Sequence, residues 1–122
     1  MGKWFYSDNA AVAVAQIDKS SKIGPWTPSK DYIFVSIGLV YANRGDSGIV
    51  HCNPFNFQLK TGQAVIYNPS PASLEPELKS VDLAPGGKIE GWLTFEIKAD
   101  ATDLTLLWEP SLFAEAIEIP LK

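Results

Sequence analysis

Cysteine, histidine and methionine each occur once among the 122 residues, and each scarcity excludes something. A lone cysteine forms no disulfide within the chain. His51 and Cys52 are neighbours, and neighbours on a strand point to opposite faces, so one ion is poorly served by both. The sole methionine is Met1, which removes the His-Cys-Met set of a blue-copper centre. Acyl transfer fares no better, because His51 would be the only base and no glycine-rich elbow frames a nucleophile. Positive charge is also short. Lys plus Arg number 10 against 14 Asp plus Glu, for a net charge of −4, and the basic residues are spread out rather than clustered. A nucleic-acid or anionic membrane surface is therefore not the expected partner. No apolar run of about eighteen residues is present to make a membrane-spanning helix. The first residues carry no apolar leader with a cleavage site, and Tyr6 stands where a myristoylation motif needs Ser or Thr. Asn68 precedes Pro69 rather than opening a glycosylation sequon.

What is present is alternation. In 31–43, Ile33, Val35, Ile37, Leu39 and Tyr41 share one face, and Tyr32, Phe34, Ser36, Gly38 and Val40 the other. In 88–98, Ile89, Gly91, Leu93, Phe95 and Ile97 point to the core. Lys88, Glu90, Trp92, Thr94, Glu96 and Lys98 point to water. Shorter strands are expected at 11–18, 55–59, 63–67, 78–83, 103–109 and 115–121, with Pro120 demoting the last to an edge or strand end. Gly24-Pro25-Trp26-Thr27-Pro28, Asn43 to Gly48, Asn68 to Pro71 and Pro85-Gly86-Gly87 supply the turns. Helix is expected only in short pieces, near 73–78 and 111–114. Seven to nine strands with such turns predict an all-β, antiparallel β-sandwich in a single domain over 1–122, with 1–9 as a flexible N-terminal segment. A closed barrel is the alternative.

The order of these motifs is itself informative: a long strand ending in Asn43, then Phe55-x-Phe57-x-Leu59-x-Thr61-Gly62, then Leu83-Ala84-Pro85-Gly86-Gly87 leading into Gly91-x-Leu93-x-Phe95, then Leu104-x-Leu106-Leu107-Trp108. Over roughly 12–121 this resembles a bacterial immunoglobulin-like domain family of unknown function, found in secreted proteins and lipoproteins that include immunoprotective extracellular antigens. The resemblance implies a two-sheet immunoglobulin-like sandwich outside the cytoplasm, with no catalytic residues and no cofactor. It places the chain in an extracellular or envelope-anchored setting whose leader is absent from this sequence; a cytoplasmic location is the alternative.

Candidate site residues are aromatic. Phe55, Phe57, Phe95, Tyr41 and Trp108 fall on core faces and are read as packing. Trp92 falls on the polar face between Glu90 and Thr94, Trp26 in a Gly/Pro loop, and Tyr67 at a strand end. These three are the expected ligand or partner contacts, because exposed aromatics stack on sugars or anchor a protein partner. Trp4 lies near the N-terminus. The carboxylates Asp100 and Asp103 share a loop that could offer Ca²⁺ ligands, but without the spacing of an EF-hand. The expected function is a non-enzymatic, extracytoplasmic interaction module for a protein or cell-envelope partner. Its contacts are expected in loops 24–28, 44–53 and 69–76, or through edge-strand pairing with a second copy. The competing reading is a small carbohydrate-binding β-sandwich built on Trp26, Tyr67 and Trp92.

Overall fold

A computed structural model describes residues 2–110 and 115–121. Ten strands are present among them: β1 (Trp4–Ser7), β2 (Ala10–Ser20), β3 (Tyr32–Asn43), β4 (Val50–Cys52), β5 (Phe57–Lys60), β6 (Ile66–Tyr67), β7 (Val81–Leu83), β8 (Lys88–Lys98), β9 (Thr105–Trp108) and β10 (Ile117–Pro120). They form one sheet in the order β1-β2-β3-β8, a second in the order β10-β9-β5-β6, and a two-stranded ladder β4-β7. All these pairings are antiparallel, so the fold is an antiparallel β-sandwich. β1 and β4, neither of which coincides with an expected strand, take the count above the seven to nine expected, while β7 lies within the strand expected at 78–83. Residues 4–7, expected to be a flexible segment, pair with Ala10–Ala13 of β2.

The core sits between the two main sheets. Val12, Val14, Val35, Ile37, Leu39, Tyr41, Leu93, Phe95 and Ile97 face Phe57, Leu59, Leu106, Trp108 and Ile119 across it. At its centre Phe57 and Trp108 are register partners on β5 and β9, with rings stacked at 6.3 Å between centroids. Tyr41 meets both edge-on, at 6.3 and 5.6 Å. Burial pushes the Tyr41 phenol up to about 12, with the neighbouring Cys52 adding to the rise. The Trp108 indole nitrogen makes no hydrogen bond of standard geometry, but its place beside the Tyr41 hydroxyl works against that rise.

Two polar features hold the sheet ends. Pro85 and Gly86 occupy the corners of a turn closed by the Gly87 N–H donating to Ala84 O at 2.8 Å, and Gly86 takes φ +86°, which glycine adopts without strain. Asn43 ends β3 almost fully buried. Its amide donates to Gly48 O (3.0 Å) and Leu83 O (2.9 Å), and its Oδ1 accepts from Gly45 N (3.0 Å). Its backbone is bonded to Gly86 and Gly87. One side chain thus ties the end of β3 to the 44–48 loop and to the turn before β8.

Two sequence expectations need correction. Phe55 is not on a core face but 80% exposed. Asn53 caps a 3-10 turn at Pro54–Asn56, accepting from Phe55 N at 3.0 Å, so the strand begins only at Phe57. The expected helix near 73–78 is absent: the segment is an extended strap, and Pro76 denies the helix a backbone donor. The short helix expected at 111–114 lies outside the described residues.

Candidate functional site

The outward face of the first sheet is where the polar pattern of β8 misleads. Thr94 is buried and Trp92 half-buried, because the strap from Asn68 to Ser80 runs along the free edge of β8. Ser70 N donates to Thr94 O (2.7 Å), Trp92 N to Pro76 O (3.0 Å) and Leu78 N to Trp92 O (2.9 Å). A bare strand edge invites pairing with another chain, and the strap closes much of this one. Leu78 drops into the main core. Ala72 packs with Ile23 and Phe34 in a second, smaller cluster, against which Leu74 rests. Beneath the strap the hydroxyls of Ser36 and Thr94 pair at 2.7 Å, satisfying two buried polar groups on a face expected to be wet.

Close approach of strap and strand depends on Gly91. A Cβ there would lie 2.6 Å from both the Cα and the N of Leu78, so no side chain fits.

Between strap and sheet lies a groove of about 430 Å³. Trp92, Leu93 and Thr94 form its floor; Pro69, Pro71 and Leu78 come from the strap; Pro54 and Phe55 come from the capped turn of the second sheet's leading strand. Its polar groups are held locally. Ser70 Oγ accepts from Ala72 N, Ser73 Oγ donates to Leu74 O, and Lys79 pairs with Glu77 at 3.3 Å. The surface therefore offers rigid aromatic and proline faces with a charged rim.

The three sequence candidates do not share one cavity. Trp92 lies in the groove and faces Gly38 across the β3-β8 ladder. Trp26 is 47% exposed and closes a turn over Gly24-Pro25, held by two backbone bonds with Ile23. Tyr67 lies elsewhere, in a cavity of about 250 Å³ with Lys98 and Asp100, and its hydroxyl accepts from Lys98 N at 3.4 Å. Phe55, which accompanies Trp92, was read as core packing and missed as a site residue, whereas the strap prolines Pro69 and Pro71 fall in the 69–76 loop expected to make contacts. The Asn53-Pro54 pair was the available signal, since Asn caps and Pro opens a helical turn.

His51 and Cys52 diverge as strand neighbours do. His51 is exposed and contacts the Asp82 carboxylate opposite it on the β4-β7 ladder. Cys52 is buried, and burial pushes its thiol up to about 12, so it is a packing group rather than a poised thiolate. Among the described residues no three His, Cys, Asp or Glu side chains gather as a metal site would need, Asp100 and Asp103 included. No helix of the described residues is long and apolar enough to cross a membrane.

Residues 1–119 match the profile of DUF4352, a domain of unknown function. Solved structures share the fold at low identity. A protein of Bacillus subtilis, ycdA, named a "putative lipoprotein", superposes with a TM-score of 0.80 at 15% identity, over 98% of this chain but only 38% of its own length. The secreted protein MPT63 of Mycobacterium tuberculosis superposes with a TM-score of 0.66 at 12% identity, over 92% of this chain and 82% of its own. An uncharacterized β-sandwich protein of Clostridium difficile gives 0.61 at 10% identity, over 100% and 91%. No curated protein matches the chain.

Proposed function

We propose that this chain, which belongs to the DUF4352 family, is a non-enzymatic interaction module of immunoglobulin-like type working outside the cytoplasm, and that the groove along β8 receives an extended polypeptide segment. The groove carries the reading. Its walls are preformed by the strap, its floor is a tryptophan, and Phe55 stands 80% exposed at its rim. Rigid aromatic and proline surfaces bind extended, proline-containing chains with little loss of side-chain entropy. The extracytoplasmic setting is supported by neighbours named as a secreted protein and as a lipoprotein. A single buried thiol is compatible with an oxidising compartment.

The test is selection from a library of extended peptides, followed by amide-shift mapping with wild type, Trp92→Ala and Phe55→Ser. Shifts confined to 69–80 and 92–94, with affinity falling roughly tenfold in each variant at retained fold, support the reading. A glycan that binds the same residues while no peptide does replaces it with the carbohydrate reading. Turnover abolished by one substitution overturns the non-enzymatic assignment.

A further inference from the structure

At the opposite end of the same sheet face the chain's only arginine is held in an unusual setting. The register aligns Tyr6, Ala11, Ala42 and Lys88 in one row across four strands, and Trp4, Ala13, Val40 and Glu90 in the next. The alanines form a flat floor. Arg44 leaves the end of β3 with its guanidinium 5.0 Å from the Trp4 ring centre and 5.8 Å from that of Tyr6. Two aromatic rings from β1 thus fix the position of a side chain that would otherwise be free. Asn43 fixes the backbone that carries it, through Gly45 N and Gly48 O.

Arg44 borders a cavity of about 380 Å³, together with Trp4, Asn43, Gly86, Gly87 and Lys88. None of the residues that form this cavity is acidic. Among the described residues neither Arg44 nor Lys88 makes an ion pair, although the chain carries more acids than bases. Asp46, two residues beyond Arg44, and Glu90, two beyond Lys88, are the acids nearest in sequence, and neither pairs with them.

We infer that this cavity is an oxyanion site for a phosphate-type group. A guanidinium fork and an ammonium in one cavity, with no internal counter-charge, suit a tetrahedral anion of charge near −2. A monocarboxylate would be served by the arginine alone. The site is separate from the groove under the strap and does not depend on how that groove is used.

The experiment is an NMR titration of the full chain at constant ionic strength, with inorganic phosphate, methyl phosphate, dimethyl phosphate, acetate and chloride as probes. Readouts are the Arg44 Nε–H, the Trp4 indole N–H and the amides of Gly45, Gly86 and Gly87. Saturable shifts at these positions with phosphate or methyl phosphate, weakened roughly tenfold by Arg44→Gln and by Lys88→Gln, support the site. Lys79→Gln, at the other end of the face, leaves them unchanged. Arg44→Lys keeps the charge but loses the fork, and is expected to fall between wild type and Arg44→Gln. Dimethyl phosphate, a monoanion, is expected to bind more weakly than methyl phosphate, and binding as tight as that of methyl phosphate overturns the assignment to a dianion. Acetate binding as tightly as phosphate, equal shifts with chloride, or an Arg44→Gln variant that is correctly folded and binds unchanged overturns it.

Discussion

Replacing Gly91 by alanine would put a methyl group 2.6 Å from the Leu78 Cα and N, well inside contact distance. Neither atom is a flexible side-chain tip, so the strap must move as a unit. Two backbone bonds are then at stake, Trp92 N to Pro76 O and Leu78 N to Trp92 O. At about 1 kcal/mol net each they account for about 2 kcal/mol. Leu78 is 3% exposed, and drawing it partly out of the core adds about 1–2 kcal/mol. Against this, alanine in place of glycine restricts the unfolded chain and stabilises by about 0.4–1 kcal/mol. The expected balance is a loss of about 2–3 kcal/mol. With a urea slope of about 1.5 kcal/mol per molar, the unfolding midpoint falls by roughly 1.3–2 M. Urea unfolding followed by circular dichroism measures the loss, and amide exchange at Leu78 and Trp92 locates it. A loss below about 1 kcal/mol with both amides still protected would refute the argument that close approach at Gly91 seats the strap.

Asn43→Ala removes three side-chain hydrogen bonds and strands Leu83 O in a buried site, so a loss of about 2–4 kcal/mol is expected in the same assay, with the 44–48 loop losing exchange protection first. Phe57→Ala empties the centre of the aromatic cluster and is expected to cost about 3–5 kcal/mol, read as a fall in melting temperature. Alkali should destabilise the fold. The folded-state values of Cys52 and Tyr41 rise from 9.0 and 10.0 to about 12, so their contribution is complete below pH 9 and is lost as the pH climbs toward 12. Melting temperatures between pH 8 and 11 test this, and Cys52→Ala should flatten the early part of the decline. Cys52 should also resist a thiol reagent in the native state at pH 8 and react only as the protein unfolds.

Period-two alternation reports the one physical fact that a strand half in water cannot avoid, so β3 and β8 were legible almost to the residue, and Phe57, Phe95, Tyr41 and Trp108 were placed correctly in the core. Turn chemistry was legible for the same local reason: Pro85-Gly86 sets its own dihedrals, and Thr61-Gly62 begins the turn between β5 and β6. The strap was not legible. Its residues alternate weakly, contain three prolines, and are placed by bonds to the edge of a strand more than ten residues further on and by packing against Ile23 and Phe34. It is that long-range contact which covers Trp92 and Thr94, makes Gly91 indispensable and gathers Phe55, Pro69 and Pro71 into one groove. The same holds for the other end of the sheet. A sequence displays Trp4, Tyr6, Arg44 and Lys88 as scattered points, and only strand register, which depends on pairings across the whole sheet, places them on one face. Local sequence determined which segments are strands and which faces are apolar. Tertiary pairing decided what lies over those faces, because a surface formed by residues distant in the chain exists only once the loops between them have closed.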